Sequence, residues 1–344
     1  MSLNLLKMLL ALTVGLCGSI LFIFLNLPLP WLLGSIFATS LAIRFEKLPI
    51  ISPKVFSPPA RILIGLAIGS AFTPEILKHI PNYTASLLLV IPFTILVIFF
   101  GTYYYYKVLK YDLKTSYLGS MPGGVIEMVI IGDELKANTA KITLMQSSRL
   151  FFVVVSLPFI IQYIFKIDIS GNQLLTMPLK DINILEFLFL YIFGIVFAFL
   201  AKKIKLTAAF LMGPLIISII LYASGVVSTS IPDEFLKFIQ VVFGTIIGFT
   251  FRGVGLKTIY KTLLATLGHF VILATICLVF LAIIFYSLNF NALDIMLSFA
   301  PGGQTEINLI ALLVASNLPY ITLHHIVRLI IVMNIAPIVA KKLK

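Results

Sequence analysis

Two short segments hold the residues best suited to chemistry. Pro122-Gly123-Gly124-Val-Ile-Glu127 recurs as Pro301-Gly302-Gly303-Gln-Thr-Glu306, an offset of 301 − 122 = 179 positions. Proline removes a backbone donor and glycine admits conformations closed to other residues, so each segment interrupts a helix. The half-helix that starts after the glycines presents free amides, and the positive end of its dipole, to whatever sits in the gap. Glu127 and Glu306 stand three residues beyond the second glycine. A carboxylate there either folds back as a cap on the first turn or, inside a membrane, binds a cation, carries a proton or contacts substrate. The two roles are compatible and both stay open.

A second pair follows at the same offset. Gln146 with Arg149, and His325 with Arg328, are three residues apart and share a helix face. Each arginine lies inside an apolar run, so a polar cavity lined by both pairs is expected. The alternative is an arginine that snorkels to the interface or neutralises the nearby glutamate. His325 occupies the position of Gln146, so the halves need not do identical chemistry. His269 and His324 have no counterpart and read as packing or local hydrogen-bonding residues. The candidate substrate- or ion-binding set is therefore Pro122, Gly123, Gly124, Glu127, Gln146 and Arg149, with Pro301, Gly302, Gly303, Glu306, His325 and Arg328. No catalytic residue, metal ligand or cofactor is expected. There is no nucleophile-base pair, Cys17 and Cys277 lack C-x-x-C spacing, and no G-x-x-x-x-G-K motif is present to couple ATP.

Positioning these residues falls to membrane helices. Of 344 residues, 60% are hydrophobic and 11% charged, far from the half and quarter, roughly, of soluble domains. Apolar runs at Leu5 to Leu27, Ala85 to Tyr106, Ile142 to Phe165, Ile184 to Ala201, Leu263 to Tyr286 and Ile321 to Ala340 are each long enough to cross about 30 Å of hydrocarbon. The first reads as a retained helix, because its apolar part outruns a signal peptide and no A-x-A site follows. Shorter spans are expected at Trp31 to Ile43 and Ile62 to Phe72. Trp31 and the row Tyr103 to Tyr106 read as interfacial anchors. Gly65-x-x-x-Gly69 and Gly244-x-x-x-Gly248 permit close helix packing, within or between chains.

The offset holds well beyond the two segments. Asn138, Ile142-Thr143-Leu144, Arg149-Leu150 and Pro158 match Asn317, Ile321-Thr322-Leu323, Arg328-Leu329 and Pro337, and Gly15, Gly34, Gly65 and Gly69 fall on Gly194, Gly213, Gly244 and Gly248. Greasy segments match Leu and Ile by chance, not Gly, Pro, Glu, Asn and Arg together. The chain therefore reads as two copies, residues 1–165 and 184–344, joined by a polar linker at 166–183. The net charge of +12 sits in short clusters between apolar runs, and basic residues mark the cytoplasmic side. Lys7 precedes the opening helix of the first copy, whereas Lys202, Lys203 and Lys205 follow the opening helix of the second, so the second copy is expected upside down. The fold expected is an all-α polytopic membrane protein of two inverted repeats, about five plus five transmembrane helices, with one Pro-Gly-Gly-broken re-entrant or discontinuous helix in each.

The doubled P-G-G-x-x-E motif followed by a Q-x-x-R or H-x-x-R helix resembles the AbrB family of bacterial membrane proteins, over nearly the whole chain. Members of that family are catalogued as regulators of gene expression or as ammonia monooxygenases. Four histidines, His79, His269, His324 and His325, offer no copper or iron constellation for the second label. No segment resembles the small DNA-binding domain that shares the family's name, so regulation would be indirect. Gln304 and Thr305, where the first copy has Val125 and Ile126, mark the second half as the more polar. The layout is similar to inverted-repeat carriers such as the bile-acid symporter and cation-antiporter group, an analogy of fold. The resemblance and the residues together imply an ion- or proton-coupled secondary transporter or exporter of a small anionic or zwitterionic solute, and not an enzyme. The alternative is a membrane-embedded regulator acting through a partner. The expected setting is the bacterial inner membrane with both termini cytoplasmic. Expected partners are the lipid bilayer, a small solute or ion, a second copy where oligomers form, and no direct nucleic acid.

Overall fold

The computed structural model describes residues 3–45, 47–170, 178–314 and 317–343. Of the linker at 166–183, residues 171–177 lie outside the described residues. Every regular element among the described residues is helical. Among the described residues seven helices are long and apolar enough to cross a membrane: Leu3–Phe24, Pro74–Val108, Thr139–Ile164, Ile184–Lys203, Asp233–Phe251, Leu256–Leu288 and Leu318–Lys342, with shorter apolar helices at Pro30–Ala42 and Ala209–Ala223.

The helices fall into two compact units, and each unit draws on both sequence copies. The first comprises Met1–His79, Pro158–Gly253 and Asn308–Pro319. It holds α1 (Leu3–Phe24), α2 (Pro30–Ala42), α3 (Ser57–Gly69) and α4 (Pro74–His79) from the first copy, with α9 (Ile184–Lys203), α10 (Ala209–Ala223) and α11 (Asp233–Gly248) from the second. The second comprises Ile80–Leu157, Val254–Ile307 and Tyr320–Lys344. Its helices are α5 (Thr84–Tyr103), α6 (Leu113–Ser120), α7 (Val125–Glu134) and α8 (Thr139–Phe159), with α12 (Leu256–Leu288), α13 (Ala292–Phe299), α14 (Gln304–Leu313) and α15 (Leu318–Lys342). The ends of α8 and α14 pass into the first unit.

Glycine explains how the first unit packs. Between apolar helices there is little hydrophobic drive, so close backbone approach through small residues supplies the contact. Gly18 of α1 and Gly34 of α2 face each other so closely that a Cβ on either would strike the other's carbonyl oxygen, and Gly213 of α10 meets the Phe197 carbonyl of α9 in the same way. A Cβ on Gly65 of α3 would lie 2.5 Å from the Leu211 carbonyl oxygen of α10, and one on Gly244 of α11 would lie 2.5 Å from that of Leu32 of α2. Gly69 rests on Ser218 and Gly248 on Thr39. The Gly18–Gly34 contact becomes Phe197–Gly213 when 179 is added to both partners, and the other two contacts pass into their counterparts when 179 is added to one partner and subtracted from the other. Both Gly-x-x-x-Gly pairs thus face helices of their own chain. Ser218 reinforces the α3–α10 contact by donating its hydroxyl to the Leu66 carbonyl at 2.7 Å.

The second unit packs α5 on α12 through an apolar seam. Val90, Phe93 and Val97 meet Leu273, Cys277, Phe280 and Ile284, with Ile295 and Phe299 of α13 closing one side. The short helices α6 and α13 begin at equivalent side-chain caps, where Asp112 accepts from the Thr115 amide at 2.8 Å and Asn291 from the Leu293 amide at 2.8 Å. A cap of this kind contributes about 1 kcal/mol.

The glycine pairs carry a direct expectation. Overpacking a filled contact costs about 1–3 kcal/mol, so Gly34→Ala and Gly213→Ala should each lower the Tm of the detergent-purified protein. Gly255→Ala, where nothing lies within 4 Å, should leave it unchanged.

Candidate functional site

Both Pro-Gly-Gly segments lie in the second unit. The helix α6 stops at Ser120 and α7 begins at Val125, while α13 stops at Phe299 and α14 begins at Gln304. A helix end frees its last carbonyls, and burying them without partners costs about 1–3 kcal/mol each. The residues that answer this are the two motif pairs. Gln146 Nε2 donates to the carbonyls of Leu118 at 2.8 Å and Met121 at 3.0 Å, and Arg149 Nη1 donates to Met121 at 2.5 Å. In the second copy Arg328 Nη1 donates to the Ala300 carbonyl at 2.7 Å and Nη2 to that of Gly302 at 3.2 Å. The His325 ring bridges the Leu297 carbonyl, 3.0 Å from Nε2, and Arg328, 2.7 Å from Nδ1. A guanidinium only donates, so Nδ1 accepts, and Nε2 carries the proton given to Leu297. Leu118 and Met121 map onto Leu297 and Ala300 at the offset of 179. Glutamine and histidine therefore do the same job with different groups.

At the other side of each gap sit the acids. A Cβ on Gly124 would collide with Oε2 of Glu127, and one on Gly303 with Oε2 of Glu306. Each carboxylate thus lies over the glycine that starts the half-helix, where the exposed amides and the dipole favour negative charge. Only a residue without a side chain leaves that space. Glu127 is half-buried and Glu306 buried. Pro122 and Pro301 are buried as well.

Reciprocal contacts bring the two gaps together. Gly123 lies beside Val332 and Met333 of α15, while Gly302 lies beside Val153 and Gly303 beside Leu150 of α8. Val153 is one turn beyond Arg149, and Val332 one turn beyond Arg328. Each bridging helix therefore secures one break with its arginine and rests on the other break a turn later. All twelve sequence candidates belong to this one arrangement. Both arginines are almost wholly buried, at 2% and 3% exposure, so neither snorkels to a surface.

Two residues outside the candidate set stand beside the first break: His269, which reads from the sequence as a packing residue, and Tyr105, which reads as an interfacial anchor and is instead buried. The ring of His269, fully buried on α12, lies 4.8 Å from that of Tyr105. A Cβ on Gly101 would sit 2.6 Å from His269 Nε2 and 2.8 Å from Cβ of Ser120, the last residue of α6. Neither ring nitrogen of His269 has a hydrogen-bond partner among the described residues. An imidazole in the middle of an apolar run was the available signal. Tyr105 was hidden because four consecutive tyrosines cover more than one helical turn and cannot all face lipid. Tyr103 and Tyr106 are exposed, whereas Tyr105 is buried. His324 is held locally, its ring nitrogens 2.7 Å from the Tyr320 carbonyl and 3.1 Å from the Ser86 hydroxyl. Among the described residues no three His, Cys, Asp or Glu side chains group as metal ligands.

These features define a protein that is helical throughout its described residues, with apolar helices of membrane-spanning length. The sequence model of the AbrB family, described as "Transition state regulatory protein AbrB", matches residues 31–344, and the chain belongs to that family. It is similar to the Bacillus subtilis (strain 168) protein named "Uncharacterized protein YhjN", with 24% identity over 97% of this chain and 92% of the relative. It is also similar to the Escherichia coli (strain K12) protein named "Putative regulator AbrB", with 30% identity over 46% of this chain and 45% of that protein.

The arginine contacts predict a measurable loss. Arg328→Met strands the Ala300 and Gly302 carbonyls and should destabilise by about 1–3 kcal/mol per orphaned group, read as a lower midpoint of thermal unfolding in detergent, whereas Arg149→Met leaves Met121 with Gln146 as donor and should lower the midpoint less. Arg328→Lys should recover little, because a single ammonium replaces a fork that reaches two carbonyls and an imidazole.

Proposed function

We propose that the protein is an ion- or proton-coupled secondary transporter or exporter of a small anionic or zwitterionic solute, working at the two Pro-Gly-Gly-x-x-Glu breaks. The reading is carried by the reciprocal contact of the breaks, Gly123 on Val332 and Gly302 on Val153. Interrupted helices at corresponding positions of two halves are the sequence pointer to a carrier's central site. The half-helix amides attract an anionic group, and Glu127 and Glu306 take the coupling cation or proton.

In this reading the halves are inverted and about ten helices cross the bilayer, the seven long ones together with α2, α3 and α10. The pairs α6–α7 and α13–α14 enter the membrane and return, which irregular backbone tolerates only where protein or water lines it. The distribution of basic residues supports both termini on the cytoplasmic side of a bacterial inner membrane. Alternating access follows from rocking one part of the protein against another. Chemistry on a covalent bond forms no part of the proposal.

A second reading, a membrane-embedded regulator acting through a partner, is favoured by the family description and by the name of the Escherichia coli relative. The two separate in a thermal-stabilisation screen of purified protein against organic acids, amino acids and ammonium, followed by flux of any stabilising compound into proteoliposomes. Glu127→Gln and Glu306→Gln should each reduce flux at least tenfold with an unchanged Tm. Unimpaired flux in both variants would remove the site. Recovery of a stable cytosolic or DNA-binding partner, with no stabilising solute, would favour regulation.

A further inference from the structure

One surface of the second unit carries a cleft that the transport reading does not use. A cleft of about 400 Å³ opens between α5, α6 and α15. Its body is hydrocarbon, from Ile95, Ile98 and Phe99 on one wall and Ile335 and Val339 on the other. Its polar groups gather towards one end, with Tyr103, Tyr106 and Lys107 at the close of α5. The π turn at Tyr104–Val108 carries that end. From Ile95 to Lys107 the wall runs about 18 Å at 1.5 Å per residue, close to the depth of one leaflet, about half of 30 Å.

Charge complementarity identifies the occupant. Lys107 Nζ stands 4.9 Å from the Tyr106 ring centroid, and α15 ends in the exposed pair Lys341 and Lys342 within one turn of Val339. None of these lysines has an ion-pair partner among the described residues. No acidic side chain lines the cleft. Tyr117 also lines it, is only 5% exposed, and its hydroxyl has no hydrogen-bond partner among the described residues. A ligand that suits this surface combines a long hydrocarbon chain, polar oxygens beside it and an anion at one end.

We propose that the cleft binds an anionic phospholipid of the surrounding bilayer, one acyl chain lying along Ile95, Phe99 and Ile335 and the phosphate facing Lys107 and the end of α15. Basic residues beside membrane helices attract anionic headgroups in this way.

Native mass spectrometry of the detergent-purified protein tests the site, by titration with dioleoyl phosphatidylglycerol and, in parallel, dioleoyl phosphatidylcholine. The anionic lipid should bind at least fivefold more tightly. Lys107→Gln combined with Lys342→Gln, both exposed positions, should bring the two lipids to within twofold of each other. Ile95→Trp, at a position 55% exposed, should weaken both by obstructing the groove. Equal binding of the two lipids by the unmodified protein would overturn the proposal, as would an intact preference in the double-lysine variant. A lipid-independent dimer abolished by Ile95→Trp would assign the groove to a second copy instead.

Discussion

A carbonyl freed by a broken helix in apolar surroundings has to find a donor, and the second unit is arranged around that requirement. The last turns of α6 and α13 leave carbonyls at Leu118 and Met121, and at Leu297, Ala300 and Gly302, with water excluded. Two buried arginines supply the donors. A guanidinium suits this role because it cannot be neutralised by deprotonation and offers five donors in one plane. The positive charge also complements the negative end of the helix dipole, as the glutamate across the gap complements the positive end. Each break is thus a matched pair of charges on opposed helix ends, and burial is tolerable because neither charge stands alone.

This arrangement divides the polar residues into those already committed to backbone and those with capacity to spare. Arg328 and His325 are engaged with carbonyls and with each other. In the first copy Gln146 Oε1 and Arg149 Nε have no hydrogen-bond partner among the described residues. His269, beside Tyr105 and one glycine away from Ser120, adds an imidazole with neither nitrogen engaged. The two breaks share a scaffold and differ in the groups that line it, glutamine in the first and histidine in the second.

The first unit meets the same physical demand by a different route. Here helix contact depends on backbone approach, and glycines mark the crossings, with hydroxyls such as that of Ser218 donating to carbonyls across them. Each glycine contact has a counterpart with the copies exchanged, as Gly65 with Leu211 and Gly244 with Leu32. The offset of 179 that relates the sequence segments also relates these contacts. Each unit is assembled from matching pieces of both halves.

The sequence by itself determined the repeat, its offset and the twelve residues around the breaks, because Gly, Pro, Glu and Arg occupy positions that little else can fill. It also determined the apolar runs, since hydrocarbon thickness fixes their length. It left open what the arginines and glutamates touch. The arginines' partners are main-chain carbonyls, which every residue carries and no sequence distinguishes. The glutamates' position over a glycine depends on the fold of the turn. Tertiary structure alone decided that the units cut across the two copies, that Gly123 meets Val332 as Gly302 meets Val153, and that Tyr105 turns inward to His269. Each of these is a contact between helices far apart in the chain, set by which small face meets which backbone, and local pattern carries no record of that choice.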